Sequence, residues 1–430
     1  MASHSERSSS VSLDLPSEPS AFHQNMNSSA SFGSLTKPPS SPLMASSPLM
    51  SSSSSSSSSM DSSLILPPFS PIEPPDLLDF PTSSSSSGTN TATTQPHQER
   101  ILILGATGNQ GRGTIHALLS SKHLLSRTNF QLAALVRDPT SAASLSLSLT
   151  PSPSSGLPIP LLKADYSSPT TLSSAFTAFR PTTIFFPPIL SDDFTLDLSY
   201  AQNVISAARQ CSSVRSFIVS TALGTDRRAE FKGWGKNGEW YPMGSYWRAK
   251  AEIEQRVKEA GFESWTIIRP GWFLHCLVPQ RMMGWSYLGF RETDEVKTIR
   301  TSWRKGAKVA WVDAEDVGVV VRAVVEDSCE ENGKRYRNRG VDLAVEAVTV
   351  GELAKKMARV LGEEVKVLYA EEQQVGGEAM TVTDTYPIAI SQRWANEFDT
   401  TYGVDAAREL GLLGQLTTMD EFLDRNKGLL

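Results

Sequence analysis

Ile101-Leu-Ile-Leu-Gly-Ala-Thr-Gly-Asn-Gln-Gly111 constrains the fold more than any other stretch of this 430-residue chain. The apolar run Ile101 to Leu104 reads as a buried parallel strand, and from Gly111 onward Ile115, Leu118 and Leu119 fall on one helical face. A strand, a glycine-rich turn and a helix in that order form a cradle for phosphate, because free N–H groups at the helix start face the anion. Gly105 allows the tight exit from the strand, Gly108 lets the backbone approach the phosphates, and Gly111 lets helix and strand pack closely. The spacing is G-x-x-G-x-x-G rather than the dinucleotide G-x-G-x-x-G, so the flanking strand and helix carry the reading more than the glycines do.

The two ends of the chain differ in kind. Residues 1 to 98 hold a serine run from Ser51 to Ser59, a second block from Ser83 to Ser87, many prolines and only Phe22, Phe32, Phe69 and Phe80 as aromatics. Such a segment cannot bury enough apolar surface to offset its chain entropy, so a disordered Ser/Pro-rich tail is expected, dispensable for ligand binding. Within it the cluster Leu64-Ile-Leu-Pro-Pro-Phe69 to Asp76-Leu-Leu-Asp-Phe80 has the composition of segments that fold on a partner's groove, although an inert solubilising tail is equally compatible. The tail has two basic residues against seven acids, which leaves 38 basic and 39 acidic residues beyond it. A near-neutral body without a basic run offers no electrostatic footprint for nucleic acid or an anionic membrane.

No apolar run reaches the roughly 18 to 20 residues of a membrane span, and the polar N-terminus lacks a signal-peptide core. Cys211, Cys276 and Cys329 are too widely spaced for a metal pair and too few for a disulfide framework. A soluble protein of a reducing compartment is the expectation, cytoplasmic, with the nucleus also open. An acidic N-terminus argues against a transit peptide, which would be acid-poor and arginine-rich.

From residue 99 apolar strands alternate with helical stretches, the pattern of an α/β doubly wound parallel sheet. Strands are expected at 101–104, 131–136, 159–163, 183–187, 215–220 and 264–269, and helices near 110–121, 169–179, 195–210 and 245–260. Right-handed crossovers give the order 3-2-1-4-5-6 and put the ligand where that order reverses. Residues 144 to 156, Ser-Leu-Ser-Leu-Ser-Leu-Thr-Pro-Ser-Pro-Ser-Ser-Gly, read as a flexible surface insertion despite their strand-like alternation. After residue 270 the alternation stops. It resumes in Val309-Ala-Trp-Val-Asp, a strand near 341–346, a helix at 350–361, a strand at 364–369 and a closing helix around 418–426. The expected division is a tail (1–98), a nucleotide domain (99–270) and a smaller α/β substrate lobe (271–430) whose segment 308–326 packs back on the nucleotide domain.

Arg137 directly follows the second strand, where an acid would bind a ribose 2′-hydroxyl and an arginine accommodates a 2′-phosphate. NADP is therefore preferred over NAD, with a solvated arginine as the plain alternative. Tyr246 and Lys250 stand four apart on one helical face. A tyrosine works as an acid–base group near neutrality only if its pKa falls from ~10, and a neighbouring lysine supplies the positive field. Ser220, ending the fifth strand, could steady a carbonyl oxygen. The surrounding Trp234, Trp240, Tyr241 and Trp247 keep open an accidental tyrosine at that offset. His275 and Cys276, adjacent on a regular element, point apart and read as packing.

Gly105-Ala-Thr-Gly-Asn-Gln-Gly111, Val136-Arg137, Ala164-Asp165-Tyr166, Tyr246-Trp-Arg-Ala-Lys250-Ala-Glu-Ile-Glu254, Trp265-Thr-Ile-Ile-Arg-Pro-Gly-Trp-Phe273 and Trp311-Val-Asp-Ala-Glu-Asp-Val-Gly318 together resemble the NmrA-like family of atypical short-chain dehydrogenases, in its fungal style. The resemblance covers about residues 99 to 430 and implies a Rossmann domain that binds NADP(H). It places Gly105, Thr107, Gly108, Asn109, Gln110 and Gly111 on the pyrophosphate, Arg137 on the 2′-phosphate, Asp165 and Tyr166 near the adenine, and Lys250 on the nicotinamide ribose. Activity does not follow from it, because the family holds both reductases and nucleotide-sensing regulators. Phe273-Leu-His-Cys276 departs from the Phe-Met-Glu-Asn often found there. The function expected is hydride transfer between NADPH and a small, fairly apolar carbonyl or enone, with Tyr246, Lys250 and Ser220 as the catalytic group. The alternative is a non-catalytic redox sensor that binds a protein partner.

Overall fold

Ile101 and Ile103 pack with Ile115 and Leu118, whereas Leu102 and Leu104 pack with Leu172, Ala201 and Ile253. One strand thus feeds two cores, because successive side chains leave a strand on opposite faces, and a strand buried on both faces belongs to the middle of a covered parallel sheet. A computed structural model describes residues 99–127, 130–149, 158–191, 193–232, 234, 243–278, 288–290, 294–330, 333–370 and 386–430. The tail and most of the 279–293 segment lie outside these.

The first six strands are β1 (Arg100–Ile103), β2 (Gln131–Val136), β3 (Leu161–Lys163), β4 (Thr183–Phe186), β5 (Ser216–Ser220) and β6 (Ser264–Pro270), each close to its expected place. Later strands are β7 (Trp272–Phe273), β8 (Lys297–Thr301), β9 (Lys308–Val312), β10 (Arg339–Leu343), β11 (Glu346–Thr349) and β12 (Val365–Tyr369). The central sheet runs β10-β6-β5-β4-β1-β2-β3 with every pairing parallel. The expected order is present, extended by a seventh strand from beyond residue 270. The order reverses at β1, so a crevice opens between the ends of β1 and β4.

The helices of the sheet are α1 (Asn109–Leu119), α2 (Lys122–Arg127), α3 (Ala142–Ser148), α4 (Pro169–Phe179), α5 (Phe194–Gln210), α6 (Gly244–Glu259) and α7 (Val317–Ser328). Residues 144 to 148 belong to α3 and are not an irregular insertion. Ser141 caps that helix by accepting from the Ser144 amide, and the Ser144 hydroxyl donates to the Asp138 carbonyl at 2.7 Å. Leu147 then turns inward while Leu145 stays exposed. Short serine side chains, which favour turns, here fold back on the backbone and start a helix. The rest of the expected insertion, residues 150 to 156, lies outside the described residues.

The strand expected at 341–346 is two strands. β10 joins β6 in the large sheet, and β11 turns to pair antiparallel with β9. β9 also pairs with β7, and β12 with β8. Thr349 opens the helix α8 (Val350–Leu361) with a reciprocal capping box to Glu352, and Gly362 closes it in the left-handed conformation. Among the described residues no helix is long and apolar enough to cross a membrane.

Candidate functional site

Gly105 leaves β1 at φ +59°, and a Cβ there would lie 3.0 Å from Pro187 Cγ at the end of β4. The turn is closed by the Gly108 amide donating to the Gly105 carbonyl at 3.0 Å. Gly108 is the N-cap of α1 and offers no side-chain acceptor to the helix start. A Cβ on Gly111 would collide with the Gly105 carbonyl and stand 2.7 Å from Ala106 Cα. Gly105 and Gly111 therefore act as expected, one turning the chain and one letting the helix touch the turn, and Gly108 leaves the cap bare. Asn109 accepts from Arg112 at 2.8 Å, whereas Gln110 is an open polar group of the turn. Its Oε1 is buried without a hydrogen-bond partner, a state that costs about 1–3 kcal/mol unless a ligand satisfies it. Thr107 is partly buried beside it.

Arg137 stands exposed after β2, with no hydrogen bond or ion pair among the described residues. Asp138, its neighbour, is committed elsewhere: its carboxylate accepts from the Thr140 amide at 2.9 Å and hydroxyl at 2.7 Å. Those bonds hold Asp138 below the usual carboxylate range, with Lys163 and Arg137 adding to it. Asp165 is likewise engaged by the Ser167 amide and hydroxyl at 2.8 and 2.6 Å, and is lowered by them with help from Arg137. Tyr166 packs edge-on against Phe186 at 5.6 Å. Burial raises its phenol, opposed by the Gly105 backbone. Tyr166 thus meets the Gly105 backbone, and Asp165 feels the open charge of Arg137.

Tyr246 and Lys250 lie on α6 at the expected spacing, with the ammonium 5.6 Å from the centre of the phenol ring. Lys250 is 7% exposed, and no hydrogen bond or ion pair is made by its ammonium among the described residues. Burial pushes it down to about 8, against the pull of Asp197. Asp197, itself buried, is held by the Ser191 amide at 3.1 Å and hydroxyl at 2.7 Å. The phenol of Tyr246 goes the other way. Burial raises it, and the ring is packed between Phe194 at 5.7 Å and Trp247 at 4.9 Å. Ser220 ends β5 with its hydroxyl buried and without a partner. At Cys276 burial pushes the thiol up to about 12, so it is no nucleophile near neutrality.

Behind these groups Arg269 of β6 is buried and bound bidentately to Glu254 of α6 at 2.8 and 2.7 Å. It also meets Asp226 at 2.8 Å and Asp342 of β10 at 3.5 Å. Burial works against its charge, yet Glu254, Asp226 and Asp342 hold its pKa above the usual value. Gly340 makes room for this guanidinium, whose Cζ a Cβ there would approach to 2.9 Å. Glu254 sits one turn from Lys250, so the pair fixes the helix that presents it. The sequence reading missed Asp197 and Glu254. Asp197 carried a signal, since it shares the helical stripe of Ala201, Val204 and Ala208, all buried.

A glycine turn at a strand-order reversal, a bare helix N-terminus, an unpaired arginine after β2 and a buried lysine beyond β5 define a nucleotide-binding Rossmann protein. The family model for the NmrA-like family matches residues 97–423, and the chain belongs to that family. Among solved structures it resembles NmrA, a negative transcriptional regulator, with a TM-score of 0.55 at 14% identity over 76% of this chain and 95% of that one. That regulator has also been solved in complex with NADP. It resembles the triphenylmethane reductase of Citrobacter sp. complexed with NADP(H), with a TM-score of 0.54 at 19% identity over 76% of this chain and 99% of that one. A third likeness is the NADPH-dependent quinone oxidoreductase of Escherichia coli, complexed with NADPH, with a TM-score of 0.50 at 20% identity over 76% and 99%. At these identities the likeness is one of fold. No curated protein matches the chain.

Proposed function

We propose that this protein binds NADP(H) and transfers hydride between it and a small, fairly apolar carbonyl or enone compound. The observation that carries the reading is Lys250, an ammonium buried with no carboxylate on it and lowered to about 8. Burying a charge without a partner is costly, and such sites are retained where a ligand supplies the missing acceptors. Gln110 Oε1 and Ser220 Oγ are orphaned in the same sense.

The cofactor would supply the hydride. Gly105 to Gly111 would take the pyrophosphate, Arg137 the 2′-phosphate, and Lys250 the nicotinamide ribose. Tyr246 would hold the proton for the substrate oxygen and Ser220 would steady that oxygen. Phe194, whose ring packs on Tyr246 at 5.7 Å, would give the substrate side an apolar wall. NADP-bound relatives of the same fold support the cofactor, and two reductases among them support the chemistry.

Calorimetric titration of NADPH and NADH into the full chain and into Arg137→Ala tests the cofactor. The expected result is a preference for NADPH that the variant loses, at a cost of ~1.5–3 kcal/mol for a charge-assisted contact. Equal affinities in the unaltered chain would sink the assignment.

The second reading is a nucleotide-state sensor that docks on a protein partner without turnover, and the raised phenol of Tyr246 favours it. A screen of carbonyl compounds for NADPH oxidation separates the two. On an accepted substrate, Tyr246→Phe is expected to lower kcat by about 10²-fold or more. Full turnover by that variant would remove the tyrosine from the mechanism, and no Lys250-dependent turnover on any compound would leave the sensor.

A further inference from the structure

Away from the glycine turn, a cavity of about 270 Å³ opens between the outer edge of β10 and the helix Tyr402–Glu409. Its charged lining is Arg335, Arg339, Asp342 and Glu409, and its apolar lining includes Ala406 and Leu410. β10 is the last strand of the sheet, paired only through β6, so the helix and not another strand borders its free side.

The two arginines are held in place by backbone oxygens. Arg335 Nη2 donates to the Leu410 carbonyl at 2.8 Å, and Arg339 Nη1 donates to the Arg335 carbonyl at 3.2 Å. A guanidinium has five N–H donors, so both keep donors to spare. Neither forms an ion pair among the described residues, and neither does Glu409. Asp342 Oδ1 is buried without a hydrogen bond, its nearest charge being Arg269 Nη1 at 3.5 Å. Arg335, Arg339 and Glu409 thus border one small space without neutralising each other, and Asp342 beside them has only a loose contact with Arg269. Burial raises Asp342 to about 6, the state of a carboxylate that lacks a full complement of donors.

That arrangement selects by charge. A simple anion would meet Asp342 and Glu409, and a simple cation would meet the arginines, so each is rejected by half of the lining. A molecule with both charges is accepted by all of it. The volume lies just under the ~300–1,000 Å³ of drug-sized ligand sites, which limits the guest to a few heavy atoms beyond its two charged groups.

We propose that this cavity binds a small zwitterion of the α-amino acid class, its carboxylate on Arg335 and Arg339 and its ammonium on Asp342 and Glu409. The site is separate from the nucleotide crevice and stands whether or not the protein turns over a carbonyl substrate. An ammonium on Asp342 draws on the carboxylate that also faces Arg269, so the guest touches the cluster that anchors α6.

The test is thermal unfolding of the full chain with a panel of free protein α-amino acids at millimolar concentration, against propionate and methylamine as half-ligands. At least one amino acid is expected to raise Tm saturably while neither half-ligand does. Arg339→Ala and Glu409→Gln replace exposed side chains and are expected to leave the Tm of the free protein unchanged. Each is expected to weaken the half-saturating concentration at least about tenfold, as loss of a charge-assisted bond requires. The proposal is overturned if no amino acid shifts Tm, if propionate alone reproduces the shift, or if the shift survives unchanged in both variants.

Discussion

Gly113→Ala is expected to destabilise the protein by about 3 kcal/mol, the upper end of the range for overpacking. In α1 a Cβ at this position would overlap the Glu315 carbonyl and lie 2.6 Å from Glu315 C. Opposite it, a Cβ on Gly318 at the start of α7 would stand 2.5 Å from the Thr114 amide nitrogen. The two helices therefore meet backbone to backbone, and a backbone cannot step aside as a side-chain end can. Separating them would open the core made by Ile115, Leu118, Val317, Val320 and Val321. Because α1 also carries the glycine turn at its start, NADPH affinity should fall with stability. Gly414→Ala is the matched control, since nothing lies within 4 Å of a Cβ there. A midpoint of thermal or urea unfolding that moves no further in Gly113→Ala than in the control would show that α1 and α7 can slide apart freely.

Arg269→Ala should cost about 3–5 kcal/mol at neutral pH, the range for removing one partner of a buried ion pair. The arginine is 4% and Glu254 3% exposed, so little water reaches the charges left behind. The loss is chiefly the burden of Asp342 and of Glu254, which keeps only Lys258 at 3.7 Å and the Thr221 hydroxyl at 2.8 Å, and it should therefore shrink in acid. The sign follows from linkage. Asp342 is raised by burial to about 6 in the folded chain, against ~3.9 unfolded. Between those values the folded state binds more protons, so this group stabilises below about pH 4 and its contribution is lost as pH rises through 6. Arg269 is among the charges that hold Asp342 down, so its removal should raise Asp342 further and carry the decline above pH 6. Urea unfolding from pH 5 to 8 should show the variant falling away from the unaltered protein as pH increases. A constant gap across that range, or one below about 1 kcal/mol, would mean that the cluster is solvated on unlocking rather than buried.

Most of the central sheet was legible because its signals are local. Apolar runs bounded by turn residues locate β1 to β6, and right-handed crossovers then leave one order for them. α4 and α8 match residue for residue, and the structure shows local caps at their starts, Ser168 before Pro169 and Thr349 with Glu352. The misreadings arose where a neighbour distant in sequence decides. Residues 339–349 are uniformly strand-like, and the corner where β10 leaves the large sheet for β11 is marked by the Ala344 amide on the Gly403 carbonyl at 3.2 Å and the Val345 amide on the Trp311 carbonyl at 2.8 Å. α3 forms where serines alternate with leucines, because Ser141 and Ser144 find Asp138 and close a cap that periodicity does not reveal.

The candidate site divides in the same way. By itself the sequence determined the glycine turn, Arg137 after β2 and the four-residue spacing of Tyr246 and Lys250, since each depends on chain geometry within one or two turns. Only the tertiary structure decided the electrostatics of those residues. Burial depends on what folds over a side chain, and it lowers Lys250 while raising Tyr246, although the two share one helical face. Tertiary structure alone also brought Asp197 toward Lys250 and joined Arg269, Glu254, Asp226 and Asp342 from four segments into one cluster. Charges interact through space with a strength set by distance and surroundings, and neither quantity is written along the chain.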